Sequence, residues 1–251
     1  MLRFLTIGDV HGHDKWKNAI YRIDEDTQEI MYCHLGVNID KAIFIGDYTD
    51  DWNLSNAAIL YNLKEIIQLK KDYPDNVVLL WGNHDVAYYN NDRGCSGFRP
   101  EMYPDLYQIF RENHELFQLA YQYKNTIWTH AGIHKGWWQY YVQPVLDGKK
   151  ETRFTDFIGD CKNIADVLNM MFDFNYDPIF MISHHRGGIH KVGGPLWADK
   201  NETYNKPLPG YHQVIGHTPV PFPKTYDFHD LTKVTYCDCM PVCDTFYKID
   251  L

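Results

Sequence analysis

The chain has 251 residues, with 24 Lys and Arg against 33 Asp and Glu, a formal charge of −9. At 45% hydrophobic and 16% aromatic it is too apolar for a disordered chain, and its acidic balance argues against a general nucleic-acid binder, which carries a basic face. No apolar run reaches the roughly 18 residues of a membrane helix. The 13 histidines stand out, because imidazole is the commonest metal ligand.

In chain order, Leu2–Ile7 reads as a buried strand and not a signal peptide, running into Gly8-Asp9-Val10-His11-Gly12. Lys15–Ile23 is expected as a short helix. Lys41–Ile45 is a second strand, ending at Gly46-Asp47. Asn53–Tyr73 places Ala57, Leu60, Leu63 and Ile67 at helical spacing, with Asn53 or Ser55 as cap and Pro74 beyond its end. Val77–Trp81 runs into Gly82-Asn83-His84-Asp85, and Asp105–Tyr123 repeats a helical spacing through Leu106, Ile109, Phe110, Leu116 and Leu119. Thr126–Trp128 leads into Thr129-His130-Ala131-Gly132, and Asp160–Phe172 is a third long helix. Ile179–Ile182 reads as a strand before Ser183-His184-His185-Arg186-Gly187-Gly188, and His212–Ile215 as a strand before Gly216-His217-Thr218-Pro219. Lys233–Cys239 and Thr245–Leu251 read as a hairpin.

Alternating strands and helices predict an α/β fold, with parallel and antiparallel pairing together. Without a linker, repeat or low-complexity tract, residues 1–251 read as a single domain. Six cysteines (Cys33, Cys95, Cys161, Cys237, Cys239, Cys243) in a chain large enough to do without staples are expected as reduced thiols in a cytoplasmic protein. Cys237, Cys239 and Cys243 lack the paired CxxC spacing of a common zinc site.

Ligands bind outside the carboxyl ends of strands in open α/β sheets. Asp9, His11, Asp47, Asn83, His130 and His217 all follow strand ends and can converge on one edge. Carboxylate, imidazole and amide oxygen suit Mn, Fe or Zn. One ion would take Asp9, His11 and Asp47; a second would take Asp47 again with Asn83, His130 and His217. A carboxylate can bridge two cations about 3.5–4 Å apart, a pair that clamps a phosphate oxygen and acidifies a water. His184 or His185 is an alternative ligand to His130, although the Ala131-Gly132 sequel favours His130.

The ordered set Gly8-Asp9-Val10-His11-Gly12, Gly46-Asp47-Tyr48-Thr49-Asp50, Gly82-Asn83-His84-Asp85, His130-Ala131-Gly132 and Gly216-His217-Thr218 resembles the calcineurin-like metallophosphoesterases. Tyr48, Trp197-Ala198-Asp199 and the Thr218-Pro219 that follows His217 resemble the phosphoprotein phosphatase and diadenosine tetraphosphatase branch. The resemblance implies a four-layer α/β/β/α sandwich with two mixed sheets. It also implies a centre of two divalent or trivalent ions, Mn first, with Fe or Zn as alternatives. It assigns His84 as proton donor to the leaving oxygen and Asp50 as the partner of its imidazole.

The implied activity is hydrolysis of a phosphomonoester, a phosphoserine/threonine protein or a small phosphorylated metabolite, by attack of a metal-bridging hydroxide. Alternatives are a dinucleoside polyphosphate hydrolase, a phosphodiesterase or nuclease, or a metal-binding scaffold without catalysis. A phosphorylated protein or small-molecule substrate is the expected partner, with no membrane and no general nucleic-acid binding. One departure matters: Asp51 stands where that branch usually carries a phosphate-gripping Arg. Arg186 is the first substitute, with Arg93 and Arg99 behind it. Trp137-Trp138 and Tyr140-Tyr141 form either an aromatic wall for a substrate or the packing of a helix.

Overall fold

Runs of Val, Ile, Leu and Phe with no polar alternation form strands buried on both faces, and the computed structural model builds its sheets from these runs. It describes residues 1–24, 29–32, 37–90, 94–240, 242–243 and 245–251. Two compact units divide them, one formed by residues 1–118, 219–223 and 237–251, the other by 119–218 and 224–236. Each is built on a five-stranded mixed sheet, so the chain is an α/β fold with two mixed sheets flanked by helices.

In the first unit, β1 (Arg3–Ile7), β5 (Lys41–Phe44), β6 (Val77–Leu80) and β7 (Phe117–Gln118) run parallel, and β13 (Tyr247–Asp250) closes the edge antiparallel to β1. A separate antiparallel sheet holds β2 (Ile20–Asp24), β3 (Glu29–Tyr32) and β4 (Val37–Ile39). Phe4, Leu5, Ile7, Ile43, Phe44, Leu79 and Leu80 are fully buried. Register pairs Ile7 with Phe44 and Phe44 with Leu79. The loops opening at Gly8, Gly46 and Gly82 therefore leave the sheet side by side. The helix Asn56–Asp72 starts at Ser55, whose hydroxyl accepts the Ala58 N–H at 3.2 Å, and it buries Ile59, Leu63, Ile66 and Ile67.

In the second unit, β9 (Thr126–Thr129), β10 (His212–Ile215) and β12 (Lys233–Tyr236) are parallel, with β8 (Ala120–Tyr123) and β11 (Lys224–Asp227) antiparallel at the edges. Ile215 pairs with Thr129, which levels the loops carrying His130 and His217. The helix Ile164–Asp173 is capped by Asn163, whose Oδ1 accepts the Asp166 N–H at 3.0 Å.

Four expected elements differ. Lys15–Ile23 is helical only over one 3₁₀ turn, Lys15–Asn18, because residues 20–24 pair with β3 and pairing outweighs local propensity. The helix expected over Asp105–Tyr123 spans Tyr103–Glu112 and ends at Asn113, whose side chain bonds back to the Ile109 carbonyl at 2.8 Å. Of the residues that fitted a helical period, Leu116 ends a 3₁₀ turn over His114–Leu116 and Leu119 lies between β7 and β8. Ile179–Ile182 is not a strand; Pro178 opens a 3₁₀ turn over Asp177–Phe180 instead. The tail is not a hairpin, because β12 pairs with β10 and β11 while β13 pairs with β1 in the other sheet. The helices Asn83–Tyr89 and Lys200–Asn205 have no counterpart in the sequence reading.

Candidate metal centre and proton-donor site

His11 and Asp47 are held together by backbone as well as side chain. The N–H groups of Val10 and His11 both donate to the Asp47 carbonyl, at 3.1 and 2.7 Å. His11 Nδ1 lies 2.8 Å from the Thr49 carbonyl. A carbonyl can only accept, so the ring proton sits on Nδ1 and Nε2 presents a lone pair. That lone pair faces Asp47 Oδ2 at 3.8 Å. Asp9 completes a group whose ligand atoms lie within 4.8 Å of one another, and Asp9 and Asp47 are both buried. Acceptors gathered in a dry place favour a cation.

The turn geometry is strained where these side chains are aimed. Among the described residues eight non-glycine residues have positive φ, and His11, Asp47, Asp50 and His217 are four of them. Such backbone persists where surrounding contacts over-determine it. Gly82 shows one such contact: a Cβ there would lie 2.2 Å from both the backbone nitrogen and Oδ1 of Asp47. Asp85, fully buried, accepts the N–H groups of Tyr48 at 2.8 Å and Gly82 at 3.0 Å. It thereby ties the Asp47 loop to the start of the Asn83–Tyr89 helix.

Asn83, buried, opens that helix, and His84 follows it. The His84 N–H donates to Asp47 Oδ1 at 2.9 Å; its Nδ1 lies 3.0 Å from Asp50 Oδ2 and its Nε2 4.0 Å from Asp47 Oδ2. Burial disfavours charge on this imidazole. The Asp47 charge and the bond to Asp50 outweigh it and hold the His84 pKa well above the usual value. Asp50 Oδ1 accepts the Tyr88 hydroxyl at 2.5 Å, and the Cys95 thiol lies 3.6 Å from Asp50 Oδ2.

In the second unit, His130 Nε2 and His217 Nδ1 lie 3.1 Å apart, both rings buried. Two imidazoles bound to one ion at about 2.0–2.1 Å place their nitrogens roughly 2.8–3.4 Å apart for angles between octahedral and tetrahedral, so the spacing fits a shared ion. Arg186 is linked to this histidine pair through Thr218. Its Nη2 donates to the hydroxyl of Thr218, the neighbour of His217, and its Nε pairs with Asp199 Oδ2 at 2.9 Å. Glu202 orders the loop that carries Arg186, accepting the Ser183 hydroxyl and the N–H groups of Gly193 and Asp199 at 3.1 Å.

The model of the family described as calcineurin-like phosphoesterases matches residues 2–237. The chain belongs to the calcineurin-like phosphoesterase family. It is a hydrolase of phosphate esters with a candidate metal site. A search of curated proteins found no match. Among solved structures it is similar to a metallophosphoesterase from Sphaerobacter thermophilus, at 10% identity over 99% of this chain and 83% of that one, with a TM-score of 0.36.

Other expected residues of this phosphoesterase lie as follows. The Asp51 carboxylate accepts the N–H groups of Asn53 and Leu54 at 2.6 and 2.9 Å and meets His13 Nε2 at 3.0 Å, so it closes a local turn. The Arg99 guanidinium donates to the carbonyls of Asp51 and Leu54, the latter at 3.0 Å, and to the Asn56 side chain at 2.5 Å. Arg93 lies outside the described residues. His184 is exposed, with Nδ1 on the His190 carbonyl at 3.1 Å. Trp137 and Trp138 are buried, their indoles bonded to the Pro178 carbonyl and Gln143, which is the packing alternative; Tyr140 is exposed. Cys237, Cys239 and Cys243 form no metal-holding group among the described residues. Tyr88, Cys95 and Glu202 carry no motif that could have flagged them. Asp85 had one signal, its place three residues after Gly82 at a helix start.

No described helix is long and apolar enough to cross a membrane.

Proposed function

We propose that the chain is a dinuclear, metal-dependent phosphomonoesterase of the phosphoprotein phosphatase and diadenosine tetraphosphatase branch, acting on a phosphoserine/threonine protein or a small phosphorylated metabolite. The observation that carries it is the convergence on Asp47: the His11 lone pair and the buried Asp9 carboxylate gather at it, and His84, braced by Asp50, approaches the same Asp47 Oδ2 with its ring edge-to-face on His11 at 5.1 Å. A cation site beside a proton donor is what cleavage of a monoester with a strongly basic leaving group requires. A diesterase with a weaker need for protonation has less use for it.

The donor set fits Mn, Fe or Zn, and the family resemblance puts Mn first. In this reading Asp9, His11 and Asp47 hold one ion, and Asp47, Asn83, His130 and His217 the other. Bound ions would acidify the attacking water and offset charge on the phosphoryl oxygens. The protein's own groups do the rest. Arg186, fixed by Asp199 and Thr218, steadies the phosphoryl oxygens. His84 gives its Nε2 proton to the leaving oxygen as the P–O bond breaks, and that oxygen keeps the bonding pair. Asp50 holds Nδ1–H throughout, so the ring faces one way and returns neutral. Water supplies the oxygen that phosphorus gains, and the products are an alcohol and inorganic phosphate.

A panel of p-nitrophenyl phosphate, a phosphoserine peptide, a phosphorylated sugar, diadenosine tetraphosphate and bis-p-nitrophenyl phosphate, assayed with Mn²⁺, tests this. The monoesters should turn over fastest, and His84→Asn should slow the phosphoserine peptide and the phosphorylated sugar by about 10²–10⁴-fold and p-nitrophenyl phosphate, whose leaving group needs little help, much less. Faster turnover of the dinucleotide or the diester overturns the monoester reading. Ion binding without turnover of any ester leaves the scaffold reading in its place.

A further inference from the structure

We propose that Tyr88 is a positioning residue for proton donation by His84, an inference that rests on the phosphomonoesterase reading above. Asp50 has two oxygens with separate tasks. Oδ2 meets His84 Nδ1 at 3.0 Å and Oδ1 accepts the Tyr88 hydroxyl at 2.5 Å. A carboxylate held at one oxygen can still rotate about its Cβ–Cγ bond; held at both, it cannot.

The Tyr88 hydroxyl is itself fixed. Its single proton goes to Asp50, and one of its lone pairs accepts the Arg99 N–H at 2.8 Å. Its ring is stacked on Phe98 at 4.5 Å and 17°. The Arg99 side chain reaches back to the carbonyls of Asp51 and Leu54. The strut is therefore closed: Arg99 anchors the segment just after Asp50, and Arg99's own N–H sets the hydroxyl that holds Asp50. Asp50 needs such support, since its backbone sits at φ 67°. The guanidinium that the sequence offered as a phosphate grip is spent on this brace.

Tyr88→Phe removes the hydroxyl and keeps the ring on Phe98. If the strut serves proton donation, the loss depends on how much the leaving oxygen needs a proton. With Mn²⁺, kcat on β-glycerol phosphate, whose alkoxide is a poor leaving group, should fall at least about tenfold. On p-nitrophenyl phosphate, whose leaving group needs little help, it should fall less than about threefold. KM should stay within about twofold on both, because no substrate contact is removed. A merely structural role lowers both esters alike, and equal loss or no loss in an active wild type overturns the proposal while leaving the phosphomonoesterase reading intact. A second readout needs no turnover. In the ion-free protein the His84 Nδ1–H proton, observed by NMR with labelled histidine, should exchange faster in Tyr88→Phe than in wild type. Unchanged exchange overturns the proposal. Absence of turnover in wild type, on every ester, removes the reading beneath it.

Discussion

His84 Nδ1 and Asp50 Oδ2 stand 3.0 Å apart in a place where the Asp50 side chain is fully removed from solvent. A buried carboxylate beside an imidazole stabilises the charged ring more than water would, provided the attraction exceeds the desolvation cost of the pair. Here it does so with the help of Asp47, and the His84 pKa lies well above its ordinary value near 6.5.

The pH dependence follows with its sign. A pKa raised in the folded state adds stability that is fully present below the unfolded pKa of about 6.5 and lost as pH rises through the folded pKa. In the ion-free protein, the His84 titration followed by NMR should therefore centre above 6.5. In Asp50→Asn it should move down, and the fall in stability between neutral and alkaline pH should shrink. A His84 that titrates at 6.5 or below in wild type contradicts the charge balance described here.

Ion binding should be visible as stability. A ligand that binds only the folded chain adds about 2.7 kcal/mol at 100 times its Kd, which for a chain of this size is on the order of 5–10 °C in Tm. Mn²⁺ should raise Tm of the wild type by that order. His11→Ala, which removes the lone pair facing Asp47, should abolish most of the rise. Equal shifts in the two proteins would place the ion elsewhere.

The candidate ligands of each unit could be picked out in sequence because a strand end leaves its mark twice, as an apolar run and as the polar–glycine turn after it. Asp9, His11, Asp47, Asn83, His130 and His217 each carry that mark. Tyr88 and Cys95 reach Asp50, and Arg99 the Asp51 carbonyl, by tertiary packing at separations of 38, 45 and 48 residues, and no local pattern records such a contact. The secondary structure failed for related reasons. Leu116 and Leu119 satisfy a helical period, yet the chain there passes from one sheet to the other. Ile179–Ile182 has a strand's composition but follows Pro178 and pairs with no strand among the described residues; the bridge beside it is that of Ser183 with His190. Asp51, which departs from the branch's usual Arg, has a turn to close.

Asp85 makes a prediction about stability without touching substrate. Its two oxygens satisfy two buried N–H groups, of Tyr48 and Gly82. Asn offers one oxygen and, at the other position, an amine that cannot accept. Asp85→Asn should therefore cost about 1–3 kcal/mol, on the order of 2–12 °C in Tm. Mn²⁺ affinity should fall with it, because the same bonds fix the Asp47 loop. A thermal melt and a calorimetric titration on one preparation check both.

Arg186 yields the prediction closest to substrate. A guanidinium has five N–H groups. In Arg186, Nε faces Asp199 at 2.9 Å and one Nη2 proton goes to Thr218. The Nη1 pair makes no hydrogen bond among the described residues and can meet a phosphoryl oxygen. Lysine keeps the charge but cannot hold Asp199, Thr218 and a phosphate from one planar fork. Arg186→Lys should lower kcat/KM on phosphomonoesters by roughly 10- to 150-fold, the equivalent of about 1.5–3 kcal/mol for a lost charge-assisted bond. Inhibition by inorganic phosphate should weaken in parallel, while the Mn²⁺-induced rise in Tm stays. If Arg186→Lys binds phosphate as wild type does, the grip on phosphate belongs to another residue, and Asp51 is not offset from this loop.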